Sequence, residues 1–273
     1  MADWGRTNVL ITGAGRGIGK RLAIGFAAQG ARVGLLARSK PELDLTYMEI
    51  EQAGGQSIRL RADVTNYAQL RAAVDRMRAR FGEVDVAICA AAVIGPIGAF
   101  WESSPKAWDA AIQTNLLGVC HTCRAVLPSM VARRRGKILV LACGGAIRPR
   151  PGFSAYATSK TAVVRLVETI AEEVREYNVQ INCFHPGPTY THMTDVILRA
   201  GSKLGPKDRE EAERLRATGG ATPEKQIELA LFLASEDSNH ISGKLIHIRD
   251  DWRRLREGQL DSELLTLRRV RKV

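Results

Sequence analysis

Short apolar runs alternate with longer amphipathic stretches along most of this chain. Runs rich in Val, Ile and Leu are typical of strands buried on both faces, and an apolar residue every three or four positions indicates a helix packed on one side. Strands are predicted at 8–11, 32–37, 57–61, 85–90, 137–142, 179–184 and 244–248. Helices are predicted from the first glycine turn to about 30, at 40–54 and 67–81, around 105–133, from near 156 to about 177, and at 223–234. This alternation predicts an α/β protein with a doubly wound parallel sheet flanked by helices on both faces.

The rhythm breaks at residues 188–222, which are polar, punctuated by glycine and contain a charged helical piece at 207–216. An insertion of this length is usually a lid, a binding loop or a disordered segment. Residues 251–273 are strongly basic with scattered leucines, and we interpret them as a peripheral helix. The sequence contains no repeat or linker, so it predicts one domain over 1–250, with a lid at about 188–222 and a basic C-terminal extension.

Composition narrows the class of protein and its partners. The 273 residues are 45% hydrophobic but only 5% aromatic, which indicates a mostly aliphatic core. An excess of 40 Lys and Arg over 29 Asp and Glu gives a net charge of +11, which suits nucleotides, phosphorylated cofactors, acidic proteins or nucleic acid. Five scattered cysteines, no secretory leader and no apolar run of membrane length favour a cytoplasmic protein without disulfides.

A glycine-rich turn follows the first predicted strand. Gly13, Gly17 and Gly19 are spaced more widely than in the common dinucleotide fingerprint, but they too join a strand to a helix. Glycines let the backbone approach a pyrophosphate, and the N-terminus of the next helix offers N–H groups and positive dipole. The alternative is a tight connection that binds no ligand. The position of the turn, on the first strand of an alternating chain, favours nucleotide binding.

Charge at the end of the second strand indicates which nucleotide is bound. Proteins that bind NAD place an acidic residue there, against the ribose 2′-hydroxyl. Here the strand ends at Ala37, Arg38 and Ser39 follow it, and Arg16 lies in the glycine turn. Two arginines and no carboxylate favour a 2′-phosphate, and hence NADP(H) over NAD(H). The alternative is that Arg38 is a solvated charge at the strand end.

Tyr156 and Lys160 lie one turn apart on one face of a predicted helix. A phenol titrates at about pH 10, and an ammonium group held close to it lowers that pKa. Such a pair can exchange a proton with a carbonyl or carbinol oxygen. By itself the pair is an ordinary feature of helix surfaces, so its functional meaning depends on the rest of the chain.

The glycine turn and the Tyr156–Lys160 pair together resemble the short-chain dehydrogenase/reductase (SDR) family, over about residues 6–248. The resemblance implies a Rossmann-like fold and an enzyme that interconverts a carbonyl and a secondary alcohol, with hydride exchanged with a nicotinamide. It implies that Tyr156 is the general acid and that Lys160 lowers its pKa and binds the nicotinamide ribose. Asn115, which matches the family's active-site asparagine, is implied to hold a water in a proton relay.

The resemblance also implies a set of cofactor-binding residues. They lie in the glycine turn, after the second, third and fourth strands, and in the segment 186–191, which matches the family's segment near the nicotinamide. With the pair already named, the set is Gly13, Arg16, Gly17, Ile18, Gly19, Arg38, Ser39, Asp63, Val64, Ala90, Tyr156, Lys160, Pro186, Gly187, Thr189 and Thr191.

Three segments depart from the family pattern. Thirteen residues before Tyr156, where the family has a catalytic serine, stands Cys143, with no Ser or Thr adjacent to it. The asparagine-rich segment after the fourth strand is replaced by residues 89–92, Cys-Ala-Ala-Ala, and the usual Asp-Gly-Gly after the last strand is Asp-Asp-Trp at 250–252. A thiol is a weak hydrogen-bond donor and acceptor, so Cys143 bears directly on catalysis.

Two functions therefore stay open on the sequence. One is an NADP(H)-dependent reductase that is weakened or re-tuned by Cys143, and the other is an NADP(H)-binding regulator or scaffold with little turnover. Retention of Tyr156, Lys160 and Asn115 favours the reductase. An enzyme that uses Cys143 as nucleophile and His185 as base is a distant third, because a histidine at a strand end is more often a packing residue.

The substrate is expected to be a small carbonyl or alcohol, which the sequence does not name. Arg148 and Arg150, between Cys143 and Tyr156, indicate an acidic group on the substrate or its carrier, or else they face solvent. The resemblance further implies a homodimer or homotetramer.

The remaining cysteine, tryptophan and basic motifs are interpreted as structural features and not as functional sites. Cys120 and Cys123 form a Cys-x-x-Cys pair without the second pair that a zinc site needs, so no metal is predicted. Trp101 and Trp108 are expected in the core or at an interface. Basic clusters at 133–135 and 268–272 are interpreted as solvated faces, so no specific nucleic-acid site is predicted.

Overall fold

The computed structural model describes residues 4–252, 255 and 265–268, in which strands alternate with helices. The strands are β1 (Asn8–Thr12), β2 (Arg32–Ala37), β3 (Gln56–Arg61), β4 (Val86–Cys89), β5 (Gly136–Leu141), β6 (Val179–His185) and β7 (Leu245–His247). The helices are α1 (Gly17–Ala28), α2 (Lys40–Gln52), α3 (Tyr67–Phe81), α4 (Pro105–Ile112), α5 (Gly118–Arg133), α6 (Ser154–Glu173), α7 (His192–Leu198), α8 (Pro206–Thr218) and α9 (Pro223–Ala234). The predicted strands are present within a few residues of their expected bounds.

The described strands form one parallel sheet in the order β3-β2-β1-β4-β5-β6-β7. The chain first builds outward from β1 through β2 to β3, and then returns to the other side of β1 at β4. The strand order therefore reverses between β1 and β4. In an open parallel sheet, the loops that leave the carboxyl ends of the strands diverge at such a reversal and form a crevice for a ligand.

Side chains alternate between the two faces of the sheet and build an apolar cluster on each. From β1, which is buried over its full length, Leu10 joins the cluster with α3, α5 and α6. Its neighbours Val9 and Ile11 join the cluster with α1, α2 and α9. Cover on both faces confirms the doubly wound α/β fold that the apolar runs predict.

The lid differs from its sequence prediction. Its charge pattern predicts one helical piece at 207–216, whereas the structure has both α7 and α8 in this segment. Thr191 caps α7, and its Oγ1 accepts the Met193 N–H at 3.2 Å. A capped helix of seven residues is too short to be recognised by periodicity. The helix predicted from near 156 to about 177 is shorter in the structure. α6 ends at Glu173, and a 3₁₀ turn, Arg175–Tyr177, follows it.

The predicted peripheral helix of the C-terminal extension lies mostly outside the described residues. Two described residues of the extension pack on the domain, one against the edge strand β7 and the other against α6. The Leu245 N–H of β7 donates to the Leu265 carbonyl at 2.7 Å, and the Leu267 N–H donates to Glu168 Oε1 on α6 at 2.6 Å. This part of the extension therefore covers an edge strand that would otherwise present free backbone groups.

The tryptophans and the basic cluster at 133–135 have different environments. Trp108 Nε1 donates to Ser154 Oγ at 3.2 Å, but Trp101 is 84% exposed, so the core alternative for Trp101 is wrong. Arg133 Nη1 lies 3.1 Å from Asp85 Oδ1 and stabilises the loop before β4.

Within the described ranges, no helix is both long and apolar enough to span a bilayer.

Lys137 is a buried cation at the start of β5, remote from the carboxyl ends of the strands. Its side chain is 7% exposed, and Nζ donates to Ser238 Oγ at 3.2 Å. Burial lowers the pKa of Lys137 to about 7, against the opposing charge of Glu236. The unfolded chain, by contrast, keeps this proton up to a pKa of about 10.4.

Between about pH 7 and pH 10 the unfolded state therefore binds more protons at this site than the folded state, and folding stability rises with pH. We expect the free energy of unfolding of the wild type, relative to that of Lys137→Met, to rise by about 1–4 kcal/mol across this window. Urea denaturation of both proteins at a series of pH values measures the difference. A difference that stays constant with pH would contradict the lowered pKa.

Candidate functional site

A cleft of about 930 Å³ opens at the carboxyl ends of the strands, over the reversal between β1 and β4. Its walls are the glycine turn after β1, the loops after β2, β4, β5 and β6, the start of α6, and the lid helices α7 and α8. Asp63 and Asn115 are not part of the lining. The other predicted site residues all line it: Gly13, Arg16, Gly17, Ile18, Gly19, Arg38, Ser39, Val64, Ala90, Cys143, Tyr156, Lys160, Pro186, Gly187, Thr189 and Thr191.

Two glycines of the turn, Gly13 and Gly19, have no room for a side chain. A Cβ atom on Gly19 would lie 2.3 Å from the Gly13 carbonyl oxygen, and one on Gly13 would lie 2.8 Å from the Ala91 Cα. Gly13 and Gly17 also have positive φ angles, 69° and 58°, which favour glycine. Since α1 begins at Gly17, the turn leads directly into a helix N-terminus at the cleft. This shape and these N–H groups fit the phosphates of a dinucleotide.

Asn115 is fully buried and holds the segment that follows β4. Its Oδ1 accepts the Val93 N–H at 2.8 Å, and its Nδ2 donates to the Val93 carbonyl at 2.9 Å and to Ser159 Oγ at 3.0 Å. Asn115 lies in a π-helical turn, Gln113–Leu117, between α4 and α5. Such turns are frequent at functional sites. Periodicity does not predict this one, because apolar spacing continues through it.

Tyr156 and Lys160 extend from the first turns of α6 into the cleft wall and are 9% and 3% exposed. Lys160 Nζ donates to the Leu141 carbonyl at 2.6 Å and lies 5.8 Å from the centroid of the Tyr156 ring. Burial raises the pKa of Tyr156 well above its usual range, and the Cys143 thiol adds to the rise while Arg150 opposes it. Burial also lowers the pKa of Lys160. The expectation that Lys160 lowers the pKa of Tyr156 is therefore wrong here, because burial raises it, and at neutral pH Tyr156 is a neutral hydrogen-bond donor.

Cys143, just beyond β5, lies beside Tyr156 in space. Its half-buried thiol lines the cleft and packs against the apolar cluster that contains Tyr156. The position found by counting back from the tyrosine therefore lies beside the tyrosine in the folded chain.

His185 ends β6 and lines the same wall. Burial lowers the pKa of His185 to about 4, and the charges of His247 and Arg249 add to this effect. Its Nδ1 accepts the Gly187 N–H at 3.1 Å, so in the neutral ring the proton is on Nε2. Since the accepting nitrogen is already used, this geometry does not support His185 as a base for Cys143.

Arg16 and Arg38 line the other end of the cleft, and each is paired with a carboxylate. Arg16 Nη1 lies 3.0 Å from Glu42 Oε1, and Arg38 Nη1 lies 3.5 Å from Asp63 Oδ2. Burial raises the pKa of Asp63. Hydrogen bonds from Thr65 and the charge of Arg38 outweigh this effect and hold the pKa of Asp63 below its usual range. Asp63 thus lies beside Arg38 but outside the cleft lining.

The lid forms the wall of the cleft at the end opposite to Arg16 and Arg38. Arg150, on the loop after β5, donates from Nε and Nη2 to Asp208 Oδ1 of α8, at 3.1 and 3.0 Å. Arg148 lines the cleft but is exposed. Asp208 was missed by sequence reasoning, because it is 58 residues from Arg150 and lies among alternating charges. The sequence of the lid does not show which part of the domain the lid contacts. It therefore does not predict that Asp208 pairs with Arg150.

The family is decided by sequence comparison. The model of the short chain dehydrogenase family matches residues 7–200. This chain is a member of that family. It is 34% identical to the oxidoreductase UcpA of Salmonella typhimurium, over 86% of this chain and 89% of that protein. It is 33% identical to the 3-oxoacyl-(acyl-carrier-protein) reductase FabG of Thermotoga maritima, over 88% and 94%.

The fold agrees with this SDR membership. The crystal structure of the actinorhodin polyketide ketoreductase with NADPH resembles this structure with a TM-score of 0.82 and 26% identity, over 90% of this chain and 97% of that one. The protein is thus an SDR oxidoreductase with a nucleotide-binding Rossmann fold, and it acts on alcohol or carbonyl groups.

Proposed function

We propose that this SDR is an NADP(H)-dependent reductase that interconverts a carbonyl and a secondary alcohol, with Cys143 at the position of the family's serine. The observation that carries the proposal is the buried, neutral Tyr156 hydroxyl, which lines the cleft between Cys143 and Lys160. A protonated phenol at this point can donate to a carbonyl oxygen while the carbonyl carbon is reduced.

Each part of the cleft that matches the family pattern has a role in this proposal. Bound NADP(H) supplies the hydride for reduction. The glycine turn and the start of α1 bind its phosphates, and the segment 186–191 forms the wall beside its nicotinamide. Tyr156 donates its hydroxyl proton to the substrate oxygen, and the Lys160 ammonium, held by the Leu141 carbonyl, stabilises the phenolate that results. Asn115 fixes the wall after β4 through Val93.

Cys143 limits the rate in this proposal. A serine hydroxyl would donate a strong hydrogen bond to the substrate oxygen, whereas a thiol is a weak donor. Loss of one such donor raises a barrier by about 3–4 kcal/mol. The same residue favours the second candidate, an NADP(H)-binding regulator or scaffold with little turnover. The intact Tyr156 and Lys160 support the reductase.

NADP(H) is favoured over NAD(H) by the two arginines at the cofactor end. Arg16 and Arg38 have side chains that are 54% and 61% exposed, so their ion pairs with Glu42 and Asp63 are worth little. Both guanidinium groups are therefore available to bind a 2′-phosphate, for which Arg has a matched fork of donors. The ketoreductase with NADPH shows that its own fold accepts this nucleotide.

We also infer a homodimer or homotetramer from the family resemblance, formed through the helices at 105–133, which are α4 and α5, and through α6. Residues 251–273 are proposed as an extension of a single catalytic domain, and the contacts of Leu265 and Leu267 with β7 and α6 support their packing on it.

Turnover of the wild type and of Cys143→Ser distinguishes the two candidate functions. We expect the wild type to oxidise NADPH measurably with at least one member of a panel of ketones, and kcat to rise by about 10²- to 10³-fold in Cys143→Ser, because a hydroxyl restores the donor. Steady-state absorbance assays measure both rates. Cys120→Ser, a half-buried thiol on α5 outside the cleft lining, is the matched control. No turnover in the wild type, with activity gained in Cys143→Ser, would instead support the binding protein.

The cofactor preference depends on Arg38. We expect Arg38→Ala to lower the ratio of kcat/KM for NADPH to that for NADH by about 10- to 100-fold, since a charge-assisted hydrogen bond to the phosphate is lost. Arg59→Ala is the control, because Arg59 is an exposed arginine of β3 that pairs with Asp44 and does not line the cleft. An unchanged ratio in Arg38→Ala would show that Arg38 is only a solvated charge.

A further inference from the structure

One ion pair joins the lid to the loop that precedes Tyr156. The Arg150 guanidinium binds Asp208 of α8 at 3.0 Å, and the two side chains are 30% and 25% exposed. Arg150 also lies over the ring of Phe153, 3.9 Å from its centroid, and Phe153 is 1% exposed. The guanidinium is thus fixed from two sides at the wall of the cleft, and its charge is already matched.

The surface next to this ion pair is apolar. α7, α8 and the loops after β4 and β5 build a separate hydrophobic cluster whose buried members are Ile94, Phe153, Tyr156, Ile197, Leu204 and Ala212. Ile94 and Ile197 line the cleft, together with Met193 and Val196 from α7. A substrate that reaches the Tyr156 hydroxyl must therefore place much of its surface against aliphatic side chains.

Two arginines and two carboxylates line this end of the cleft, and three of these four charges are in ion pairs. Among the described residues, the charged side chains that line it from the loop after β5 and from α8 are Arg148, Arg150, Asp208 and Glu211. Glu211 is also paired, with Arg214 at 2.7 Å. A substrate carboxylate would lose water against the apolar wall, and to bind Arg150 it would have to displace Asp208 and leave that carboxylate unpaired.

We propose that this cleft selects uncharged, apolar carbonyl compounds, and that Asp208 excludes anionic ones by holding Arg150. The proposal rests on the reductase function proposed above. It replaces the interpretation of Arg150 as a site for an acidic group on the substrate. Arg150 and Asp208 are specificity residues in this account, because they contact the outer end of the substrate and not its reacting carbonyl.

Two ketones of the same ring and similar size test the selectivity, 4-methylcyclohexanone and 4-oxocyclohexanecarboxylate. We expect the wild type to have a kcat/KM for the neutral ketone at least about tenfold above that for the carboxylate. Asp208→Asn keeps the shape of the side chain and frees Arg150, so it should raise the ratio of kcat/KM for the carboxylate to that for the neutral ketone by about tenfold. Adding Arg150→Gln to Asp208→Asn should abolish the gain. Glu213→Gln removes an exposed carboxylate of α8 outside the cleft lining and should change neither value.

Calorimetric titration of the NADP⁺-loaded enzyme with the same two ketones measures selectivity without turnover. The proposal is overturned if the wild type binds the carboxylate as tightly as the neutral ketone, if it fails to bind the neutral ketone, or if Asp208→Asn leaves the ratio of the two affinities unchanged. Selective binding without turnover would count against the reductase function alone and would support the selectivity.

Discussion

The reversal of strand order between β1 and β4 is the constraint on which the rest of this structure depends. Parallel strands deliver all their carboxyl ends to one edge of the sheet, and the reversal separates the loops at that edge into a crevice. The glycine turn follows β1, Cys143 follows β5, and His185 ends β6, so residues far apart in sequence meet around one cleft. The sheet is buried on both faces, which makes the positions of these strand ends rigid.

Much of the fold and part of the site follow from local sequence. The apolar runs specify strands, the glycine spacing specifies a turn into a helix, and two residues four apart on a helix must be neighbours. Counting back from Tyr156 to Cys143 works because the loop between β5 and α6 returns the chain to the same edge of the sheet. These inferences need no knowledge of contacts between distant segments.

The parts that could not be predicted depend on such contacts. The π-helical turn at Asn115 is stabilised by Val93 and Ser159, which lie on other segments. The pair of Arg150 with Asp208 exists only after the lid is placed, and each residue also has nearer charges in sequence with which it could have paired. The engagement of Arg38 by Asp63 likewise crosses from the end of β2 to the end of β3. Charge alone identified Arg38 and Arg150 as candidate binding residues but did not give their partners.

Burial gives the proton-transfer site its character. It keeps the Tyr156 hydroxyl protonated and at the same time lowers the pKa of Lys160, so both groups are held nearer to neutrality than in water. A neutral phenol carries the proton that carbonyl reduction needs, although its raised pKa also makes it a weaker acid than a phenol in water. In the proposed reaction, the weak Cys143 donor leaves Tyr156 as the principal hydrogen-bond donor to the substrate oxygen.

The role of Tyr156 as proton donor is the central claim, and a comparison of the wild type with Tyr156→Phe in stopped-flow NADPH oxidation tests it most directly. The ring that packs in the apolar cluster is kept, and only the hydroxyl is removed. The account predicts that the dissociation constant of NADPH stays within about threefold, while the rate of ketone reduction falls by about 10²- to 10⁴-fold. A reduction rate that survives in Tyr156→Phe would contradict it, because the proton would then come from another group.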